Sequence, residues 1–494
     1  MELDFPAWLR VAHWVNVLFV TLLIRSGIEI IATHPKFYGN DRSEPGTEWA
    51  RFTRKSMPED KLYDTLDEEE SYSSIISLPG RKKLGMGRHW HFFSVLGWVL
   101  TGAAYFVLLF ATGQWHRYIP YSWSIFPTAW SDLLTYLGFD LPPLLPGQPF
   151  DAIQKLSYAF VLFILAPFQI LTGLAQSPAI EARFPWYLRL WGGRQRARNL
   201  HLLGLLAFLG FTAVHIMMIA VWGWGHLNAL MIFGEVRDRT SALALSLVII
   251  AVIVAIHWAA TVVSLERPRL VQRTLGAVVM SVRKVLLRPM VSRQDYSGVE
   301  PSGRHRVNGK PPDSDAYKVL AVHGFTDWRL QVGGLVDNPM TLTLADLRAL
   351  PRQTQRVLHN CVQGWTSIGE WSGLPMRELV DLAAPLPQAR YVCFLTMQDA
   401  GRDEPSAQGA GQFYEVIDLE VARQSHTLLA YEMNGGPLPI EHGAPLRLRI
   451  ENQVGFKMAK WITHIEFVSD YSGIGEGMGG WREDNVFYDK NVGI

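Results

Sequence analysis

At 494 residues the chain is long enough for two or three domains, and 46 Lys and Arg against 45 Asp and Glu leave a formal charge of +1. That balance gives no reason to expect a nucleic-acid partner, and two cysteines can close at most one bridge, so no disulfide framework is expected. Up to about Leu265 the chain carries long apolar runs, whereas beyond Asp295 it has the mixed polarity of a soluble globular domain.

A helix needs about twenty apolar residues to cross about 30 Å of hydrocarbon. Five runs qualify, Trp8–Ala32, Phe92–Thr112, Ala152–Ala175, Leu202–Trp224 and Ala242–Leu265, so residues 1–265 are expected to form an all-α transmembrane bundle in a lipid bilayer. The start, M-E-L-D-F-P-A-W-L-R, has no basic n-region, and no twin-arginine motif precedes a hydrophobic run, so no export signal is expected.

Histidines stand out in these helices, because ionisable groups at membrane depth are costly and mark function. His13 lies near the start of the first helix, His89 and His91 at the start of the second, and His201 and His215 in the fourth. Fourteen residues rise about 21 Å in close to four turns, so His201 and His215 share one face at opposite depths. That spacing suits two stacked haems, each of which takes two axial nitrogens in a b-type site. Counting helix directions pairs His13 with His215, and a histidine at the start of the second helix with His201. His257, in the fifth helix, is expected to be packed or hydrogen-bonded rather than a ligand.

The first loop holds nine cations from Arg42 to Arg88 and the third holds five from Arg183 to Arg198, so the positive-inside tendency places that side, and the C-terminal domain with it, in the cytoplasm. The acidic cluster from Asp67 to Glu70 reads as a solvated surface. The aromatic stretch from Tyr118 to Trp130 reads as a loop anchored at the membrane interface, with a quinone site as the alternative. The basic stretch from Arg267 to Arg293 has helical apolar spacing, which suggests an amphipathic helix on anionic headgroups that serves as a linker over residues 266–294.

From about Asp295 short alternating runs such as W-R-L-Q-V-G-G-L-V and R-Y-V-C-F-L-T-M read as strands between Gly/Pro/Asp turns, giving a mixed α+β domain over 295–494. Cys393 sits in one of these runs as a buried thiol. Cys361 lies instead in L-H-N-C-V-Q-G-W-T-S-I-G-E-W-S-G-L-P, a polar Gly/Trp-rich turn. A thiolate there can ligate a redox metal, and the same residue can equally be a small buried hydrophobe.

The run C-V-Q-G-W-T followed by W-S-G-L-P resembles the cofactor loop of the sulfite oxidase-type molybdopterin oxidoreductases, the superfamily that includes periplasmic methionine sulfoxide reductase catalytic subunits. The resemblance implies a sulfite oxidase-type fold with Cys361 on molybdenum beside the dithiolene of molybdopterin. H-G-A-P-L-R (His442 to Arg447), G-F-K (Gly455 to Lys457) and K-W (Lys460, Trp461) match a second segment that holds the pterin and its phosphate. This implies His442, Arg447, Gly455, Phe456 and Lys457 as contacts, with Arg447 and Lys457 as the phosphate cations. R-V-N-G-K-P-P fits the segment where the family places an asparagine near the cofactor, so Asn308 is a candidate, a simple Asn-Gly turn being the alternative. Thr396 matches a looser contact motif. His359 and Trp365 flank the ligand and either shape the pocket or pack. The tail G-G-W-R-E-D-N-V-F-Y-D departs from the family's G-x-W-E-x-x-G-Y-H, with Arg482 in place of Glu, which leaves substrate identity open.

R-V-A-H-W-V-N, W-H-F-F, A-P-F-Q-I-L-T-G-L-A and R-N-L-H with a second histidine fourteen residues on resemble the b-type cytochrome subunits of formate dehydrogenases, nickel-iron hydrogenases and related thiosulfate reductases. W-H-F-F selects His91 over His89. In that family the N-terminus is usually inside, which would send a domain after a fifth helix outside, against the charge reading. Together the resemblances imply a multi-pass protein of a bacterial inner membrane with Mo-molybdopterin and two haem b. It would exchange an oxygen atom with a small substrate, either a sulfoxide or N-oxide or something sulfite-like, and pass electrons to or from membrane quinone. Arg356, Arg377 and Arg402 are the candidates for a sulfite-binding pocket. The competing class is a di-haem electron carrier whose C-terminal domain docks another redox enzyme. A transmembrane ferric or superoxide reductase would leave the molybdopterin motifs unexplained.

Overall fold

The computed structural model describes residues 4–56, 64–223, 227–235, 238–287, 294–403 and 411–490. The chain divides into two compact units, the first made of Met1–Ser26, Trp90–Gly173 and Leu200–Val263, the second of Gly27–His89, Leu174–Asn199 and Ser264–Ile494.

Five helices are long and apolar enough to cross a membrane: Ala7–Thr33, Leu84–Ala111, Ala152–Leu174, Arg194–Gly223 and Arg239–Glu266. The second and fourth begin well before the expected Phe92 and Leu202, because hydropathy marks only the apolar part of a helix while the backbone ladder continues through polar turns. Leu100, Val107, Val252 and Trp258 stay exposed on these helices, as suits surfaces solvated by lipid rather than water. The third helix starts at a capping box in which the Asp151 side chain accepts from the Gln154 backbone and the Gln154 side chain accepts from that of Asp151. It contains a π-helical turn at Val161–Leu165, and the fourth ends in another at Ile219–Gly223. The aromatic stretch expected as a loop is partly a helix, Ile125–Leu137, with Trp123, Phe126 and Trp130 exposed.

The second unit begins with a small antiparallel pair, β1 (Lys36–Tyr38) and β2 (Glu48–Arg51). Its remaining strands are β3 (Arg329–Gly334), β4 (Met340–Thr343), β5 (Gln353–Asn360), β6 (Thr366–Pro375), β7 (Tyr391–Asp399), β8 (Gln412–Asp418), β9 (Leu428–Met433), β10 (Gly436–Pro437), β11 (Arg447–Arg449) and β12 (Ile462–Val468). One sheet runs β10-β9-β6-β5 with β11 also on β9, and the other runs β4-β3-β12-β7-β8. Only the β12–β3 pair within these two sheets is parallel. Leu330 and Val332, Val392 and Phe394, and Ile465 and Phe467 are buried at two-residue intervals, so one face of the second sheet builds the core. Helix Met376–Ala383 covers it with Leu379 and Val380. An all-α bundle and a mixed α+β unit are the two architectures the patterning predicts.

Two segments differ from expectation. The basic stretch forms a helix, Pro268–Leu287, but the side bearing Val271, Gln272 and Val279 is buried in protein, and residues 288–293 lie outside the described residues. Gln272 Nε2 donates to the carbonyls of Glu483 (2.8 Å) and Tyr488 (2.7 Å), while Arg269 donates to those of Glu483 and Asp484. The acidic cluster is only in part a solvated surface: Asp67 is exposed, but Glu68 is fully buried, paired with Lys36 and with Arg306 at 2.9 Å. A charge enters the interior when distant cations meet it, which spacing along the chain does not reveal. Arg198 is likewise spent on the carbonyls of His34 and Lys36, both at 2.6 Å, so the loop cation count overstates exposed charge.

Candidate functional site

Strand β5 delivers the chain to Cys361, and a tight turn returns it as β6. The turn is closed by Gly364 N donating to the Cys361 carbonyl and Cys361 N donating to that of Trp365, both at 3.1 Å. Gly364 stands at φ +110°, a conformation that favours glycine. The Cys361 sulfur is 3.6 Å from Asn308 Nδ2 and 3.7 Å from Gln363 Oε1. Burial pushes the thiol up to about 11, against the hydrogen bonds from the Gln363 backbone and the Asn308 side chain. A thiol so placed becomes a thiolate when a metal takes the proton's position.

Around it lies a partly open cavity. Cys361, Asn308, His442, Arg447, Gly455 and Phe456 all line it, as do the flanking His359 and Trp365. Thr396 and Lys457 do not. Thr396 Oγ1 donates to the Phe413 carbonyl at 2.7 Å and accepts from Gln398 N at 3.2 Å, so it fixes two residues that do line the wall. Lys457 is buried between Glu415 and Glu483, 2.5 Å from the latter, which corrects its expected place on the cofactor phosphate. The turn Gly455–Lys457 is 3₁₀, with three residues per turn, so three successive side chains cannot share a direction.

The wall also contains His305, Arg306, Gln398, Lys460 and Arg482, none of which was expected as a contact. His305 and Arg306 adjoin the Asn308 motif and Lys460 lies inside the second motif, but nothing in the spacing separates wall residues from their neighbours. Lys460 Nζ donates to the carbonyls of Gly309 (3.1 Å) and Glu441 (3.0 Å), and Arg482 Nη2 donates to Asn308 Oδ1 at 3.3 Å. Among the described residues, no Asp or Glu lines the cavity. The rings of His305 and His359 are 5.4 Å apart, those of His305 and His442 5.2 Å. Burial first, and then neighbouring arginines, with a histidine beside His305 and His359 and Lys460 beside His442, hold all three well below the usual histidine range. They are neutral donors or acceptors beside fixed cations. Gly455 lies so close to His359 that a Cβ there would come within 2.4 Å of the imidazole.

Of the arginines considered for a sulfite pocket, Arg356 pairs with Glu370 at 2.7 Å and Arg377 with Glu378 at 3.2 Å, and neither lines the cavity. The Arg402 side chain lies outside the described residues. A cationic wall around one thiol, with His305 Nδ1 and Arg447 Nε buried and unpartnered, fits an anionic sulfur-bearing cofactor such as molybdopterin. Among the described residues, no group of three or more His, Cys, Asp or Glu is placed to hold a metal alone. Most donors to a metal here would therefore come from the cofactor.

In the first unit the rings of His13 and His215 are neighbours, centroids 6.3 Å apart and inclined by 56°, with Phe211 stacked on His215. His91 Nδ1 hydrogen-bonds to Ser26 Oγ and His201 Nδ1 to Thr172 Oγ1, both at 3.1 Å. Such bonds orient an imidazole so that its other nitrogen can ligate. His257 is different: Nε2 meets Thr21 Oγ1 at 2.9 Å and Nδ1 meets Arg25 Nη1 at 2.8 Å, so both its nitrogens are engaged. In the second unit, His89 Nε2 is 2.9 Å from the Phe487 carbonyl.

Residues 4–234 match the family model for prokaryotic cytochrome b561, and residues 318–473 match that for an oxidoreductase molybdopterin binding domain. One chain joins these two domains. Among curated relatives, YedZ1 of Azospira oryzae, provisionally named a protein-methionine-sulfoxide reductase subunit, is 34% identical over 30% of this chain and 51% of its own length. The protein-methionine-sulfoxide reductase catalytic subunit MsrP of Xanthomonas axonopodis pv. citri is 34% identical over 32% of this chain and 49% of its own. MsrP of Campylobacter jejuni is 30% identical over 29% and 50%. The chain thus spans about half the length of the curated relatives it matches. The cytochrome b561 domain, with four of the five apolar helices inside it, supports a multi-pass membrane protein, and Cys361 with much of its cavity wall lies within the molybdopterin oxidoreductase match.

Proposed function

We propose that the chain is a membrane-bound molybdenum oxidoreductase that reduces a sulfoxide to a thioether and water, taking two electrons and two protons. The electrons come from membrane quinol, through two b haems held by His13 with His215 and by His91 with His201 in a di-haem arrangement like that of the formate dehydrogenase and hydrogenase cytochromes. The observation that carries this reading is the cationic cavity around one buried thiol, with no carboxylate among the described residues that line it. Sulfoxide is preferred to a sulfite-like donor because the matched relatives are named for methionine sulfoxide reduction.

Molybdopterin supplies, when bound, a metal that exchanges an oxygen atom with substrate. The chain's own residues do the rest. Cys361 would be the protein ligand to the metal, with Asn308 orienting its sulfur. Arg447 and Lys460 meet the cofactor's anionic groups, with neutral His305, His359 and His442 as hydrogen-bond partners. Phe456 and Trp365 keep water from the sulfur, and Arg482 offers a cation to the polar oxygen of an entering substrate. A degenerate docking module would need none of these groups gathered round one cavity.

The exposed first-loop cations Arg51, Arg54 and Arg81 support a cytoplasmic second unit. A fluorescent-protein fusion at the C-terminus should glow, whereas an active alkaline phosphatase fusion would overturn that side.

The deciding test is molybdenum by plasma mass spectrometry and haem by pyridine haemochrome on detergent-purified protein, with turnover of dimethyl sulfoxide and methionine sulfoxide by a reduced quinol. About one molybdenum and two haems per chain, with quinol-driven turnover, is the expected result. Two haems and no molybdenum, in cells that make the cofactor, would leave only the electron-carrier reading.

A further inference from the structure

The segment over residues 64–69, between the first and second membrane-length helices, is far in sequence from the molybdopterin motifs, yet its polar groups end on two cavity-forming stretches of the second unit. One stretch is 306–309, which carries Asn308. Gly309 N donates to Asp64 Oδ2 at 2.6 Å, Thr65 N donates to the Val307 carbonyl at 3.0 Å, and Arg306 Nη1 donates to Glu68 at 2.9 Å. The other is the Cys361 turn. Thr65 Oγ1 donates to Gln363 Oε1 at 2.7 Å, and Gln363 Nε2 donates to Glu69 Oε1 at 2.9 Å and to the Thr65 carbonyl at 3.3 Å. Gln363 Oε1 in turn lies 3.7 Å from the Cys361 sulfur and accepts from Trp365 Nε1 at 2.9 Å. Asp64, Thr65 and Glu68 are each at most 1% exposed. Buried polar groups are costly unless paired, and every one of these is paired with one of the two stretches or with Lys36.

We propose that residues 64–69 are a positioning clamp for the molybdenum site, holding the Asn308 amide against the Cys361 sulfur. Asp64, Thr65 and Glu68 hold the 306–309 stretch, Thr65 and Glu69 hold the Gln363 side chain, and the Asn308–Cys361 separation of 3.6 Å is set where the two meet. The site is then completed by a loop of the membrane-embedded half of the sequence, so the fused domain order is a requirement for cofactor retention and more than a tether. This rests on the proposed function, since it concerns the same cysteine.

The test uses full-length protein in detergent with four variants: Glu69→Ala, Glu69→Gln, Asp64→Asn and, as a control, the exposed Asp67→Asn. The readouts are the molybdenum-to-haem ratio, the electron paramagnetic resonance signature of the partly reduced metal, and the thermal unfolding midpoint. Glu69→Ala and Asp64→Asn are expected to weaken molybdenum retention on the order of ten-fold and to alter the resonance of the fraction retained. Glu69→Gln, which keeps an acceptor for Gln363 Nε2, restores both. Asp67→Asn behaves as wild type. Unchanged retention and resonance in Glu69→Ala and Asp64→Asn would overturn the clamp, as would an equal loss in Asp67→Asn. If Asp64→Asn fails to fold, the partly exposed Glu69 pair decides alone. Wild-type protein without molybdenum would overturn the functional reading itself, a result distinct from any ranking among the variants.

Discussion

The first unit holds the Nδ1 atoms of His91 and His201 with hydroxyls, from Ser26 and Thr172, on helices that are largely apolar. The second unit surrounds Cys361 with a wall of cations and imidazoles, in which Lys460 and Arg482 have further partners while His305 and Arg447 each keep a buried, unpartnered nitrogen, in a fold rich in polar groups. In a bilayer a polar side chain is conspicuous because there is so little else for it to do. In a water-soluble fold a charged residue becomes informative only when its burial and its partners are known. The two regions therefore call for different evidence, and they should also fail differently.

The largest contrast lies between the two kinds of ligand. On the proposed ligand assignment, Cys361→Ala is expected to abolish turnover with candidate sulfoxides while haem content is unchanged, whereas His215→Leu should lower haem content and leave molybdenum in place. Metal analysis beside pyridine haemochrome separates the two, and a Cys361→Ala protein with normal turnover would break the comparison. Next comes Lys457→Met, which leaves Glu415 and Glu483 buried without their cation and is expected to cost about 3–5 kcal/mol in denaturant unfolding of the second unit. An effect confined to cofactor binding would instead return Lys457 to the pterin phosphate.

A smaller effect sharpens the same point through pH. Glu181 is buried, accepts from Asn360 Nδ2 at 3.0 Å and Tyr296 OH at 2.9 Å, and is raised to about 7, chiefly by burial. The folded state holds its proton more tightly than the unfolded state. Its contribution is therefore fully present below about pH 4.5 and is lost as pH rises through about 7, by up to about 1.4 kcal/mol per pH unit. Denaturant titrations at pH 5 and pH 7 should show that fall, and Glu181→Gln should flatten it. The smallest effect belongs to the surface: breaking the exposed Lys318–Asp313 pair should change stability by no more than about 0.5 kcal/mol.

What could be read in the sequence follows the same division. The five helices were plain from apolar runs, and helical geometry alone puts His201 and His215 on one face. Missed were the helix at Ile125–Leu137, where aromatic density hides the helical period, and the polar turns that begin the second and fourth helices. In the second unit the alternating runs gave strands, and the motif around Cys361 pointed to a cavity-lining residue. The motifs do not say which neighbours face inward: Phe456 lines the cavity while Lys457 does not, and Lys460 does although its motif marks no role for it. Glu68 was the largest surprise, because its partners Lys36 and Arg306 lie 32 and 238 residues away.

The cationic wall has a consequence for the life of the protein in a cell. Arg447, Arg482 and Lys460 gathered on one cavity repel one another, so an anionic occupant adds stability to the fold as well as a metal to the site. A chain that has not received its cofactor would open more often and expose more of itself to proteases. Quality control could then tell loaded from unloaded molecules by stability alone, without recognising the cofactor.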